Sequence, residues 1–481
     1  MRYFALFLVL FGALRGLTQS VSPVERNWVN APTDLHTDVK SLAQDQLDSI
    51  RWNEDKSRFC FGIHPDVLVA AQYRDLAART GLHLSVNSRL GKPFSFVANY
   101  RVGYANLRTI PYTSPLQPKA YFSNSLSGNQ SIYHDLRGRV AFTPNKVIQL
   151  QAGLDHIFIG EGDRSLFSGN QGIPAPFVQL KVHFWKLEYH LIQQIWREQK
   201  ASGSLAPKGN ATHYLSFKPT KNWSFGIFET VVYGMKDTLY NRGFEVEYLN
   251  PLLFFRPQEY GLGSSDNVLL GFQTSFQWKK NMLYGQFLLD EFLLAEIKAG
   301  NGWWANKFGV QLGYKGWTDR GASHLFYRTE LNLLRPFTYS QVQSNIVYGN
   351  QGLPVAHPLG SNFIELYQEV AWQRNDWKAT AFLQYYLKGN DSLPTGNSYG
   401  GNIYQPYNQR PGDYGFHTGS GVPYHVMQLG MQVSRTLIQR MQVDLFVEPR
   451  VLFTTIHGTT FTDFFGTVGV YMPLGSDRRN Y

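Results

Sequence analysis

Cysteine is almost missing: Cys60 is the only one in 481 residues. One thiol cannot form an intramolecular disulfide, and it stands too far from the N-terminus to be the acylated cysteine of a lipoprotein. Long apolar runs are missing as well. Past the first 20 residues, the apolar runs, such as Leu252-Leu253-Phe254-Phe255, are short, far below the ~20 residues a membrane helix needs. If this chain crosses a bilayer, it must do so with strands. Charge is scarce, 17% against about a quarter in ordinary globular chains. Catalytic spacing is absent too. The 13 histidines are scattered, with no H-E-x-x-H and no paired-His spacing, so neither a metal nor a cofactor is expected. Gly396-Asn397-Ser398-Tyr399-Gly400 spells a nucleophile-elbow pattern. Such an elbow needs a strand before it and a helix after it, whereas Pro394, Gly401 and Asn402 place this one in a polar loop. Asp290 and Glu291 are adjacent, so on a strand they face opposite ways, a poor acid/base pair. The chain reads as a non-enzyme.

What is present points to a two-faced β-structure. Aromatics reach 15%, with 34 Phe and 28 Tyr, Gly is common at 44 copies, and mean hydropathy is only −0.29. Many aromatics with middling hydropathy suit strands that are apolar on one face and polar on the other. The N-terminus has the form of a secretory signal peptide: Met1-Arg2, an apolar Tyr3 to Leu14, and small Thr18 and Ser20, with cleavage expected after Ser20. Removing residues 1–20 takes away Arg2 and Arg15 and no acid, so the formal charge falls from +10 to +8. That excess suits lipid headgroups or an anionic guest, or is a general basic bias. Nucleic acid is excluded as a partner for an exported chain.

Strict alternation recurs. Met427, Leu429, Met431 and Val433 alternate with Gln428, Gly430, Gln432 and Ser434. Val178, Leu180, Val182 and Phe184 alternate with Gln179, Lys181 and His183, and Ile148, Leu150, Ala152 and Leu154 with Gln149, Gln151, Gly153 and Asp155. A period of two puts each set on opposite faces of a sheet. Short links fall near 91–92, 144–145, 185–186, 220–221, 279–280, 319–320, 375–376 and 439–440. Longer links lie around 74–79, 104–134, 157–174, 197–210, 235–265, 291–306, 336–362, 389–422 and 453–461. Short and long alternate, as tight periplasmic turns and longer outer loops do in bacterial barrels. The expectation is an all-β fold: a transmembrane antiparallel β-barrel of about 18 strands over residues 58–481, in the outer membrane, with lipid as its first partner. A propeller would show a repeat of about 40–50 residues, and none is seen. Residues 21–57 do not alternate. Leu35, Val39, Leu42, Leu47 and Ile50 lie near helical spacing, which predicts a periplasmic helix or plug, or a poorly ordered leader.

The link at 157–174 reads Ile157-Phe158-Ile159-Gly160-Glu161-Gly162-Asp163-Arg164-Ser165-Leu166, then a Gly-rich stretch and Pro174-Ala175-Pro176-Phe177. It resembles the signature loop of RemB-like gliding-motility-associated proteins of Bacteroidetes, which are similar to the Wzi capsule-assembly family. Further segments come in that family's order: Glu229 to Gly234, Glu247 to Leu252, Ser265 to Gly271, Tyr284 to Phe292, Trp303 to Lys307, Leu334 to Tyr339 and Ala356 to Phe363. The resemblance covers roughly residues 58–390. Glu161 stands where the family has Asp, the stretch after Leu166 is Gly-rich where the family carries leucines, and the last hundred or so residues match by pattern only.

The resemblance implies an 18-stranded barrel whose inward-folded loops narrow the outer mouth. It also implies a role at the cell surface in capsular polysaccharide attachment or assembly, or in gliding motility, with surface polysaccharide and motility or secretion machinery as partners. The alternative is a porin-like channel for small polar or anionic solutes. The candidate ligand-binding residues, expected in the outer-mouth loops, are Asp163, Arg164, Ser165, Asn250, Arg256, Glu291, Arg335 and His357. Buried charges must be paired. These residues therefore either form a salt-bridge network that holds the loops, or Arg164, Arg256 and Arg335 bind an anionic sugar through forked hydrogen bonds. Tyr399, Tyr404, Tyr407 and Tyr414 in the link 389–422 could cradle a sugar or belong to a surface loop.

Overall fold

The computed structural model describes residues 39–40, 58–72, 75–90, 93–106, 122–127, 130–170, 172–200, 203–235, 243–251, 266–391, 396–438 and 443–471. Nineteen of the described strands belong to one closed antiparallel barrel sheet. Eighteen of them make the ring, the number the alternating links predict. They are β1 (Arg58–Gln72), β2 (Asp75–Leu90), β3 (Phe94–Asn106), β4 (Gln130–Phe142), β5 (Ile148–Asp155), β6 (Ala175–Phe184), β7 (Leu187–Gln199), β8 (Leu205–Phe217) and β9 (Trp223–Gly234). The ring continues with β10 (Asn267–Trp278), β11 (Asn281–Glu291), β12 (Lys307–Arg320), β13 (Ser323–Leu334), β14 (Phe363–Arg374), β15 (Trp377–Asn390), β16 (Val422–Ile438), β17 (Val443–Ile456) and β18 (Thr459–Tyr471). Each pairs with its neighbour in sequence, and Val67–Gln72 of β1 closes the ring against Phe465–Val470 of β18. The nineteenth, Phe122–Ser127, pairs with the part of β4 that the short β5 leaves open.

Closure leaves no unpaired edge, which is what lets a sheet live in lipid. On β13, Phe326, Arg328, Glu330, Asn332 and Leu334 are buried and face the lumen, while Leu325, Leu331 and Leu333 face outward. The same rhythm leaves Val178, Phe272, Leu283, Leu312, Val370, Met431 and Phe464 exposed around the outside. Such a band would be an aggregation liability in water and is the lipid-facing belt of a membrane barrel. Aromatics gather where the strands meet the short turns: Trp185 lies 6.1 Å from Phe217, Trp223 4.7 Å from Phe276, and Phe276 5.7 Å from Trp278. Among the described residues no helix is long and apolar enough to cross a membrane.

The turns at 185–186, 279–280 and 375–376 have the two-residue length expected of them. Each opens with a left-handed residue, Trp185, Lys279 or Asn375, as hairpins of matching twist require. Three links expected to be long are short instead: 73–74, 200–204 and 457–458. The expected link 197–210 contains Pro207, Gly209 and Asn210. These residues lie in β8, where the lumen supplies partners for its polar groups: Lys208 Nζ donates to the Val347 carbonyl at 2.7 Å, and Asn210 Nδ2 to Thr230 Oγ1 at 2.7 Å. The link 453–461 is largely strand, folded back at His457-Gly458.

The signal peptide expected at 1–20 lies outside the described residues, as does most of 21–57. Val39–Lys40 is extended rather than helical and pairs with Phe158–Ile159. The open backbone edge of that link overrides the helical spacing at Val39.

Candidate functional site

The link 156–174 folds down into the barrel. Phe167 is fully buried and stacks on Phe228 of β9, ring centroids 4.5 Å apart and planes within 2°. Around it Ile157, Ile159 and Leu166 meet lumen-facing Ile192, Trp196, Tyr214, Val232, Leu269, Leu288 and Leu334. Tyr339, Val347, Tyr348 and Ala356 from the link 335–362 and Ile403 from the link 391–421 complete this core. Three loops thus build an apolar core inside the barrel.

Loop backbone buried this way needs hydrogen-bond partners, and both the wall and the next loop supply them. Gln286 of β11 accepts from the Leu166 N–H at 2.8 Å and donates to the Ile159 carbonyl at 3.0 Å. The Tyr339 and Tyr348 hydroxyls donate to the carbonyls of Leu166 and Phe167, both at 2.7 Å. Ser165 Oγ accepts from the N–H groups of Phe167 and Ser168 at 3.0 and 3.2 Å, holding the turn.

Beneath the apolar core lies a matched set of charges. Asp163 is gripped by Arg164 Nη1 and Arg328 Nη1, both at 2.8 Å. Glu330 accepts the backbone N–H groups of Asp163 and Arg164 and the Tyr284 hydroxyl. Arg164 Nε lies 3.8 Å from Glu365 Oε1, and His357 Nε2 donates to Glu365 Oε2 at 2.8 Å. Asn332 and Gln384 donate to the same carboxylate at 2.9 and 2.6 Å. Lys315 Nζ reaches Glu161 Oε2 at 2.9 Å. Burial works against the Arg164 charge, but Glu365 and Asp163 outweigh it and hold its pKa above the ordinary value.

The structure therefore brings Asp163, Arg164, Ser165 and His357 together, inside the lumen below the rim. Glu291 and Arg335 sit higher. Glu291 pairs with Lys307 at 3.2 Å, and Arg335 donates to the carbonyls of Asn306, Phe416 and Trp303, each at 3.1 Å, tying three loops. Asn250 lies elsewhere, outside the wall. Phe228 and Val232 of β9 face the lumen core, so Glu229, Val231 and Tyr233 point outward. There the short 3-10 helix Val246–Leu249 packs Tyr248 against Tyr233, ring centroids 5.1 Å apart, and Tyr248 O accepts from Gln193 Nε2 at 2.7 Å. Arg256 falls outside the described residues. Ser398 is buried, and residues 399–405 beyond it form turns and bends rather than a helix.

The wall residues Gln286, Arg328, Glu330 and Glu365 were not among the sequence candidates. The available signal was their place on the polar side of alternating strands. Trp304 was also missed, although Trp303-Trp304 stands in one of the collinear segments. At the mouth its ring lies 4.7 Å from Tyr407, and the Arg410 guanidinium sits over it at 4.0 Å. Tyr414 nearby in sequence is 56% exposed. Arg410 is in turn held by Asp413 at 2.6 Å, so the mouth carries a part-exposed cluster of stacked rings and a paired guanidinium.

No family model and no curated protein sequence matches the chain. Solved structures do. Escherichia coli Wzi, an outer-membrane protein involved in group 1 capsule assembly and a carbohydrate-binding β-barrel, superposes with a TM-score of 0.57 at 13% identity, covering 95% of this chain and 99% of that one. The fold is that of an outer-membrane β-barrel. Pseudomonas aeruginosa OprD (TM-score 0.44, 11% identity, 90% and 97% covered) and Acinetobacter baumannii OccAB2 (0.46, 6%, 87% and 97%) are more distant in shape.

Two buried loop histidines are expected to make the plug sensitive to acid. His156 donates from Nε2 to the Gly172 carbonyl at 2.8 Å, and burial, aided by Arg137, pushes its pKa down to about 4. His357 is likewise held below its usual value by burial, which outweighs the pull of Glu365. A histidine depressed in the folded state stabilises fully above its unfolded pKa and loses that contribution as pH falls through the folded one. For His156 the window runs from 6.5 down to about 4, worth about 3 kcal/mol. Hydrogen exchange of residues 157–170, corrected for intrinsic rates, should show protection falling across that window. A His156→Gln variant should flatten its share of the slope; an unchanged slope would remove His156 from the account.

Proposed function

We propose that this chain is a non-enzymatic, non-conducting surface barrel that presents its closed mouth to envelope glycan, in capsule attachment or assembly. The observation that carries this reading is the charge-matched plug: the loops are locked inward by the wall, so the barrel serves as a rigid stand for what lies above it. The recognition surface is Trp303, Trp304, Tyr407 and Tyr414, which offer aromatic rings at the mouth, with Arg410 laid over Trp304 and held there by Asp413. Asp163, Arg164, Ser165 and His357 hold that surface in place instead of touching the ligand. The likeness to Wzi supports the fold on which such recognition can be built, and the RemB-like segments keep a gliding role as the second form of the same surface function.

Two measurements test it. In planar bilayers the purified protein should show no steady conductance; stable open-channel currents would favour the porin-like alternative. On a glycan array the protein should retain acidic surface glycans, and Trp304→Ala should lower that signal about tenfold, the loss of one stacked ring at roughly 1–2 kcal/mol. Equal retention by wild type and variant would remove the cluster from the binding surface.

A further inference from the structure

The opposite end of the barrel carries a second feature that the plug does not explain. Between the lumen faces of β6–β11 and the short turns that join them is a cavity of about 710 Å³. Six lysines line it, Lys146, Lys181, Lys186, Lys218, Lys221 and Lys279, and its lining holds one carboxylate, Glu188. Lys181 Nζ pairs with Glu188 at 2.9 Å, and His190 donates to the other oxygen of that carboxylate at 2.9 Å. The one acid is therefore already committed.

The contrast with the plug is the argument. In the plug Asp163, Glu161 and Glu365 answer Arg328, Lys315 and Arg164 nearly one for one. Lower in the lumen Lys378 meets Asp444 at 3.0 Å and Arg450 meets Glu448. Among the described residues, the six lysines and one carboxylate of this vestibule contrast with the plug and with the matched Lys378–Asp444 pair at the same end of the barrel. Like charges crowded around a walled space repel one another, and low-dielectric walls focus their field into it. Such a wall is stabilised by an anion that enters. Lys181 lies on the lumen face of β6, and Ser275 and Gln277 on that of β10 add a hydroxyl and an amide to the lining. Lysine suits this task as a mobile point charge that can follow anionic groups along a chain.

We infer that this vestibule is a binding site for a soluble oligoanion, a chain of closely spaced carboxylates or phosphates, entering from the short-turn side. That side is periplasmic in bacterial barrels. The site is independent of the outer-mouth reading: it uses other residues at the other end.

The test is binding of polygalacturonate, inorganic polyphosphate and uncharged dextran to the purified full chain in detergent. Either polyanion should bind, more weakly as salt rises, and dextran should not; the tighter polymer tells carboxylate from phosphate. The exposed lysines Lys146, Lys221 and Lys279 can be changed together to glutamine without opening the plug. That triple variant should keep wild-type unfolding and lose about tenfold in affinity, the worth of a few partly screened charge contacts. An outer-end variant, Lys298→Gln, which removes one lysine's worth of charge there, should bind like wild type. Unchanged affinity in the triple variant overturns the site. So does an equal loss in the outer control, or binding confined to phosphatidylglycerol micelles, which would make the lysines a headgroup contact.

Discussion

Arg164→Ala is expected to cost about 3–5 kcal/mol of plug stability, the loss typical of breaking a buried ion pair by removing one partner. The guanidinium is 1% exposed, holds Asp163 at 2.8 Å, lies near Glu365 and stacks over the Tyr367 ring at 4.9 Å. Alanine would leave Asp163 with Arg328 alone and put a void against Tyr367. Arg164→Lys keeps the charge but loses the planar fork, so it should fall between the two. The measurement is urea unfolding in detergent with hydrogen exchange read separately for residues 157–170. The exchange protection of this loop should drop far more than that of the strands. If alanine leaves loop protection untouched, the pairing does not hold the plug. Arg335→Ala is the internal comparison: its bonds go to carbonyls, which water can replace at the half-exposed mouth, so its cost should be smaller.

Phe167→Ala should cost a similar amount, about 3–5 kcal/mol, through a different mechanism. The ring fills the centre of the loop core, and its removal leaves a cavity between three loops. The wall is cut to receive it. Gly271 sits opposite Phe228 across the β9–β10 pair, and a Cβ there would come within 2.3 Å of the Phe167 ring. Gly271→Val should therefore expel the ring from the wall side while leaving the loop sequence intact. Both variants should admit solvent, seen as brief current spikes in planar bilayers where wild type should be silent, and both should lower the protection of the loop. If Gly271→Val keeps wild-type protection, Phe167 is not seated on that strand pair.

The strands were legible because lipid outside and polar groups inside leave a period of two, as in Met427 to Ser434 and Ile148 to Asp155. The tight turns were legible from their position between such runs. The plug was legible only as a conspicuous segment. Asp163 and Arg164 announced that something must neutralise them, but nothing local said whether the partner was a sugar or the wall. That partner sits on β13 and β14, where Glu330 and Glu365 look in sequence like any polar residue facing water. Asn250 misled for the opposite reason: a link is expected to rise above the rim, and the described part of this one, 243–251, packs against the outside of the wall. The vestibule was invisible because its lysines are spread over four turns and the strand β6, each unremarkable alone.

The contacts that lock the plug join residues very far apart along the chain. Asp163 and Glu330 are separated by 167 positions, and Phe167 and Tyr348 by 181. The link between β5 and β6 is thus made long before the strands that receive it. Closing such distances costs chain entropy ahead of any reward. The loop therefore has no seat until β9, β11, β13 and β14 have been made and paired, although ring closure, Val67 to Val470, spans a longer separation still. Damage to Arg164 or Phe167 should accordingly leave the strand ring paired and the interior unlocked.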